Sequence, residues 1–129
     1  MPLVRVALRR GKPAGYKHAI LYGIYASMRE VFNVPDEDKF MLLDEYDAEN
    51  MAYSRTYLGV ARSDHLVIIQ ITANNTRTVE QKKALFASIA GKLAENPGVR
   101  KEDVFINLVE VVKENWSFGN GVAQYADQL

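Results

Sequence analysis

The sequence predicts an α/β chain of the α+β kind: one four-stranded sheet carrying two helices on one face. Three observations lead there. The apolar pattern runs strand, helix, strand and then repeats that order. The second set reuses residues of the first at a constant spacing. The length, 129 residues, suits one domain spanning 1–129.

Residues 3–8 alternate around Arg5 and read as a strand. Gly11-Lys12-Pro13 breaks it. Residues 14–32 place Ile20, Ile24, Met28 and Val31 on one stripe, widened by Leu21, Tyr25 and Phe32, which is the spacing of an amphipathic helix. Gly23 is its soft point. Asn33-Val34-Pro35-Asp36 stops the helix, and residues 39–46 form a second strand. Residues 47–64 are a polar, irregular connector. The run 66–72 is apolar almost throughout, a pattern that suits a strand buried on both faces. Thr78-Val79-Glu80-Gln81 is a capping box. The helix it opens runs to about residue 95 with Leu85, Phe86, Ile89 and Leu93 on one side, and Asn96-Pro97-Gly98 ends it. Residues 104–112 are a fourth strand, and 113–129 are a tail.

Residues 34–45 lie over 99–110 at a single offset of 65: Val34 on Val99, Glu37-Asp38 on Glu102-Asp103, Phe40 on Phe105, Leu43 on Leu108 and Glu45 on Glu110. Carried back to Pro2, the offset lands on Val67. The chain is therefore read as a duplicated β-α-β unit, with repeats at about 2–46 and 66–112. Each unit sets its strands parallel, with the helix crossing over one face. Two units side by side leave the opposite face bare. Apolar residues on both sides of the strands make that face costly to expose, so a symmetric oligomer is expected to cover it.

Sixteen basic and sixteen acidic residues cancel, so nothing points to a polyanionic partner. The absence of cysteine excludes disulfide and thiol chemistry. Arg5, Arg9 and Arg10 interrupt the first apolar stretch, against a signal peptide. No apolar run approaches the ~20 residues of a membrane helix. A cytoplasmic protein without membrane or nucleic-acid partners is expected. His18 and His65 have no second ligand at a metal-binding spacing, so no metal site is read. Ser54, Ser63, Ser88 and Ser117 lack the context of a nucleophile.

Met1-Pro2 opens the chain. With Met1 removed, Pro2 presents a secondary amine in place of an amide, able to act as base, nucleophile or cationic acid. Terminal amines titrate near ~8, and burial or a neighbouring cation lowers that. Taken singly, each candidate has an ordinary explanation. Met-Pro is a common beginning. Arg77 could be a surface arginine before a helix start, where backbone donors also favour anions. Asp38 has a twin in Asp103, which suits a shared turn as well as a chemical role.

Together, four points resemble the tautomerase superfamily and, within it, the malonate semialdehyde decarboxylases: Met1-Pro2-Leu3, Val34-Pro35-Asp36-Glu37-Asp38, Arg77-Thr78-Val79-Glu80-Gln81-Lys82 and Trp116-Ser117-Phe118-Gly119-Asn120-Gly121. The resemblance covers nearly the whole chain. It implies a homotrimer with an amino-terminal proline in each active site and a reaction, without any cofactor, on a small oxo acid. Decarboxylation, hydration and keto–enol transfer all stand open. On this pattern Pro2 is the acid–base residue, Asp38 assists it, and Arg77 orients and polarises the substrate. The family places Arg-x-Arg before the second helix, whereas this sequence reads Asn75-Thr76-Arg77. Asn75, assigned to substrate binding, offers a hydrogen bond but no charge. Trp116, Phe118 and Tyr125 read as pocket walls, with a subunit boundary as one place for them. The alternative is a non-catalytic trimer of the same fold that binds a small acid or regulates.

Overall fold

Alternate burial makes a strand of β1 (Pro2–Arg9), with Val4, Val6 and Leu8 pointing inward, in the computed structural model, which describes residues 2–127. Helix α1 (Ala14–Phe32) follows Pro13 and ends at Asn33. Asn33 takes the left-handed conformation at φ 55° and returns its N–H to the Met28 carbonyl, a helix end that asparagine tolerates well. The remaining elements are β2 (Met41–Tyr46), β3 (Val67–Asn74), α2 (Val79–Glu95), β4 (Val104–Val111) and α3 (Gln124–Asp127).

Two local differences separate this from the sequence reading. β2 starts at Met41 because the N–H groups of Asp38 and Lys39 are already spent on a turn, donated to the Pro35 and Glu37 carbonyls. The tail carries the short helix α3, which no apolar period announces. The repeat holds in three dimensions. Pro2 and Val67 open their strands, Ala14 and Val79 open their helices, and Tyr46 and Val111 close theirs, each pair 65 residues apart.

The strand order is β2-β1-β3-β4. β1 pairs parallel with β2, and β3 with β4, as each β-α-β unit requires. The units join through antiparallel β1 and β3, which set Pro2 opposite Ala73 and Leu8 opposite Val67. Both helices lie on one face. Val4, Val6, Ile69 and Ile71 meet Ile20, Ile24 and Met28 of α1 and Leu85, Ile89 and Leu93 of α2 in one core. The helices touch through Ser27 and Ser88, whose hydroxyls lie 2.8 Å apart, and through Gly23 against Leu93. Among the described residues no helix is long and apolar enough to cross a membrane.

The other face is uncovered in the single chain. Its middle row is polar: Gln70 Nε2 donates to Asn107 Oδ1 at 3.1 Å, and Arg5 pairs with Asp44 at 3.3 Å. Leu42, Phe105 and Val109 lie exposed around that row, at 49%, 46% and 38%. The expectation that the third strand is buried on both faces is thus met on one face only, since no helix crosses the side that bears Gln70. The connector is held by carboxylates. Asp64 accepts hydrogen bonds from the Tyr53 hydroxyl at 2.8 Å and from Arg9 and Arg55. Asp103, fully buried, accepts from the Ser63 N–H at 2.7 Å and the Ser63 hydroxyl at 2.6 Å.

The helix contact yields a prediction. A Cβ on Gly23 would stand 2.9 Å from Leu93 Cδ2. Gly23→Val should therefore overpack the α1–α2 seam and cost ~1–3 kcal/mol of stability, read as a lowered urea midpoint at unchanged slope.

Candidate active site

The site is built where three chain reversals meet the amino end of β1. Pro2 is buried at that end, paired with Ala73 of β3. The Val4 N–H donates to the Phe40 carbonyl at 3.0 Å, which lays the start of β1 alongside the turn that carries Asp38. That turn follows the left-handed stop of α1 at Asn33, so the helix end decides where Asp38 stands.

Arg77 comes from the approach to α2. The capping box fixes this approach: Thr78 Oγ1 accepts from the Gln81 N–H at 3.2 Å, and Gln81 Oε1 accepts from the Thr78 N–H at 2.9 Å. The arginine reaches across to the end of the other helix. Its Nη2 donates to the Phe32 carbonyl at 2.9 Å, and its guanidinium carbon lies 4.6 Å from the centre of the Phe32 ring. A cation at a helix carboxyl end is favourable, and the planar group stacks on an aromatic face. Arg77 is thereby fixed before any ligand arrives.

The tail closes the site from the same chain. Trp116 Nε1 donates to Asn74 Oδ1 at 2.8 Å. Its ring stacks on Phe118 at 5.6 Å between centres, and Phe118 meets Tyr125 edge-on at 4.9 Å. Gln124 locks the turn, accepting from the Phe118 N–H at 3.0 Å and donating to the Gly119 carbonyl at 3.1 Å. A cleft of about 340 Å³ results, with Asp38, Phe40, Phe118 and Tyr125 among its walls. The aromatic walls therefore need no subunit boundary to reach Asp38.

The electrostatics are mutual. Burial pushes the Asp38 carboxyl above the usual carboxylate range, while Arg77 pulls the other way. Burial lowers the Arg77 guanidinium, and Tyr125 and Asp38 oppose that shift. Burial raises the Tyr125 phenol, and Asp38 raises it further. An acid, a cation and a phenol thus share one partly desolvated space at the head of β1. Such a group can hold a small anion and move a proton beside it.

Asn75 sits one residue past the end of β3. Its side chain is exposed, and its backbone N–H closes on the Val111 carbonyl at 3.0 Å. Its neighbour Asn74 is buried and holds Trp116. No local pattern pairs Asn74 with Trp116, although a polar residue at the end of a mostly apolar strand was a usable signal. Gln124 carried no comparable signal.

Comparison with known proteins gives the following. A family profile described as "Tautomerase enzyme" matches residues 38–119, and a second of the same description matches residues 2–61. The chain is 44% identical to the probable tautomerase YusQ of Bacillus subtilis (strain 168) over 96% of this chain and 98% of that one. It is 30% identical to the probable tautomerase YrdN of the same organism over 97% and 96%. Among solved structures, it superposes on malonate semialdehyde decarboxylase with TM-score 0.92 at 27% identity, covering 98% of this chain and 97% of that one. On FG41 malonate semialdehyde decarboxylase inhibited by 3-bromopropiolate the TM-score is 0.91 at 34% identity, covering 98% and 95%.

The Asp38 environment sets a pH dependence. A carboxyl whose folded pKa is raised binds its proton more tightly in the folded state, so the native protein loses stability as pH climbs through that raised range. Asn does not titrate. Asp38→Asn should therefore gain stability relative to the native chain as pH rises from acid to neutral, with the difference vanishing at acid pH. Urea unfolding across pH checks the sign.

Proposed function

The chain belongs to the tautomerase family, and from that premise we propose that it is a cofactor-independent enzyme acting on small oxo acids through an amino-terminal proline. The observation that carries the proposal is the convergence of Asp38, Arg77 and Tyr125 on the amino end of β1, where Pro2 lies. Removal of Met1 turns the Pro2 amide into a secondary amine inside that cluster. Arg77, already seated on the end of α1, takes the substrate carboxylate or carbonyl. Asp38 accepts a proton, activates water or holds the ammonium form of Pro2. Phe118 and Tyr125 exclude water and strengthen both charge interactions.

Two reactions fit these parts. In decarboxylation of a β-oxo acid, the bond to the departing carboxylate breaks and its electron pair moves onto the carbonyl oxygen as an enolate. Cationic Pro2 and Arg77 stabilise that enolate, carbon dioxide leaves, and the carbon then takes a proton. In keto–enol transfer, neutral Pro2 takes the enol proton and returns it to carbon. The likeness to malonate semialdehyde decarboxylase supports the first, and that to the B. subtilis probable tautomerases the second. A homotrimer completes the proposal. The bare sheet face with exposed Leu42, Phe105 and Val109 supports it, and a fused 4-OT of the same fold was solved as a symmetric trimer. A second reading, a trimer of this fold that binds small acids without turning them over, draws on Asn75 at the place of the expected arginine.

Mass spectrometry of the purified protein, run beside turnover of malonate semialdehyde and phenylenolpyruvate, tests the mechanism. Loss of the Met1 mass is expected, with Pro2→Ala lowering kcat/KM by about 10²–10⁴ for the preferred substrate. Met1 retained in active protein would sink the proline mechanism. Processed protein inert towards both substrates would favour the binding reading.

A further inference from the structure

Moved by the 65-residue offset, Asp38 becomes Asp103 and Arg77 becomes Lys12. Those two residues line a second cavity of about 190 Å³, together with Tyr16, His65, Val99 and Arg100. It lies at the other end of the β1–β3 pair, beside the start of β3, as the antiparallel join of the two units requires. Val99 and Arg100 stand where Val34 and Pro35 stand in the first unit, so the same helix-end turn frames both cavities.

The second cavity is lined by two cations, Lys12 and Arg100, and one carboxylate, Asp103. Lys12 Nζ lies 2.7 Å from His65 Nδ1 and 4.9 Å from the centre of the Tyr16 ring. The ammonium can donate to an imidazole nitrogen at that distance. Among the described residues Lys12 has no carboxylate partner. Asp103 does not serve as one: both its oxygens are taken by the N–H and hydroxyl of Ser63, and Arg100 lies 3.8 Å from Oδ2. Arg100 also donates to the Ala61 carbonyl at 2.8 Å and Glu102 at 3.2 Å, which hold it at the rim. Lys12 thus stands beside an imidazole and a ring face, while the oxygens of the nearest carboxylate are engaged by Ser63.

The reacting group is missing. Val67 replaces Pro2, fully buried mid-chain with an ordinary amide nitrogen. We propose that this cavity is a second, non-catalytic site that binds a small carboxylate at Lys12, related to the first by the internal repeat. Lys12 supplies the charge-assisted hydrogen bond, and Tyr16 forms a wall. Binding here does not depend on Pro2 or on the reaction proposed above.

Sodium malonate tests the proposal against sodium chloride at matched ionic strength, by NMR on the full-length ¹⁵N-labelled protein. The amide signals of Gly98, Val99 and Arg100 should shift saturably with malonate, in the native chain and in Arg77→Ala alike. Lys12→Met should weaken that saturation about tenfold or more, and Lys12→Arg should retain it. The rest of the Lys12→Met amide spectrum should overlay the native one, which separates lost binding from lost fold. Two results would overturn the site: no saturable shift at residues 98–100 in the native chain, or a shift that disappears in Arg77→Ala and persists in Lys12→Met. Neither result bears on turnover at Pro2.

Discussion

The antiparallel pairing of β1 with β3 is the constraint on which the rest of the molecule depends. Each β-α-β unit alone is a helix over two parallel strands, with too little apolar cover to stand as a core. Joined through β1 and β3, the units put Val4, Val6, Ile69 and Ile71 side by side beneath both helices. The same join sets Pro2 opposite Ala73, so the head of the first unit meets the end of the third strand. The candidate site therefore draws residues from both units: Pro2 and Asp38 from the first, Asn74 and Arg77 from the second. No single unit could assemble it.

Duplication also explains why two equal halves do unequal work. The turn after the first helix and the turn after the second place aspartates at equivalent positions, yet their surroundings differ. Asp103 is fully buried and satisfied by Ser63, and it ties the connector to the sheet. Asp38 is half-buried, shares charge with Arg77, and faces an aromatic cleft. One carboxylate is a fixed hydrogen-bond acceptor, and the other is left with its protonation state adjustable. The difference arises from what packs around each residue, since the residues themselves are identical.

Arg77 ties the approach to α2 to the end of α1. Its bond to the Phe32 carbonyl satisfies an orphan acceptor at the end of α1, and its stacking on the Phe32 ring removes rotamer freedom. Anchoring of this kind leaves the cation little rotamer freedom to lose on meeting an anion. The tail is prepared similarly. Trp116, Phe118 and Tyr125 are ordered by an Asn74 hydrogen bond, a stacked pair and an edge contact.

The sequence by itself determined the four strands, the two long helices and the repeat, and its family resemblance singled out candidate residues that stand beside local signals. Pro2 begins the chain, Asp38 follows a helix stop, and Arg77 precedes a capping box. Helix and strand periods are carried by neighbours a few residues apart, so they are written in local order. Tertiary structure alone decided that Asn74 holds Trp116, that Arg77 rests on the end of α1, and that the aromatic tail folds onto its own chain. These contacts join residues 42 and 45 positions apart, or depend on a tail without a period. It also decided that Asn74, the last residue of β3, is buried where Trp116 donates to it, while Asn75, one residue past the strand, lies exposed.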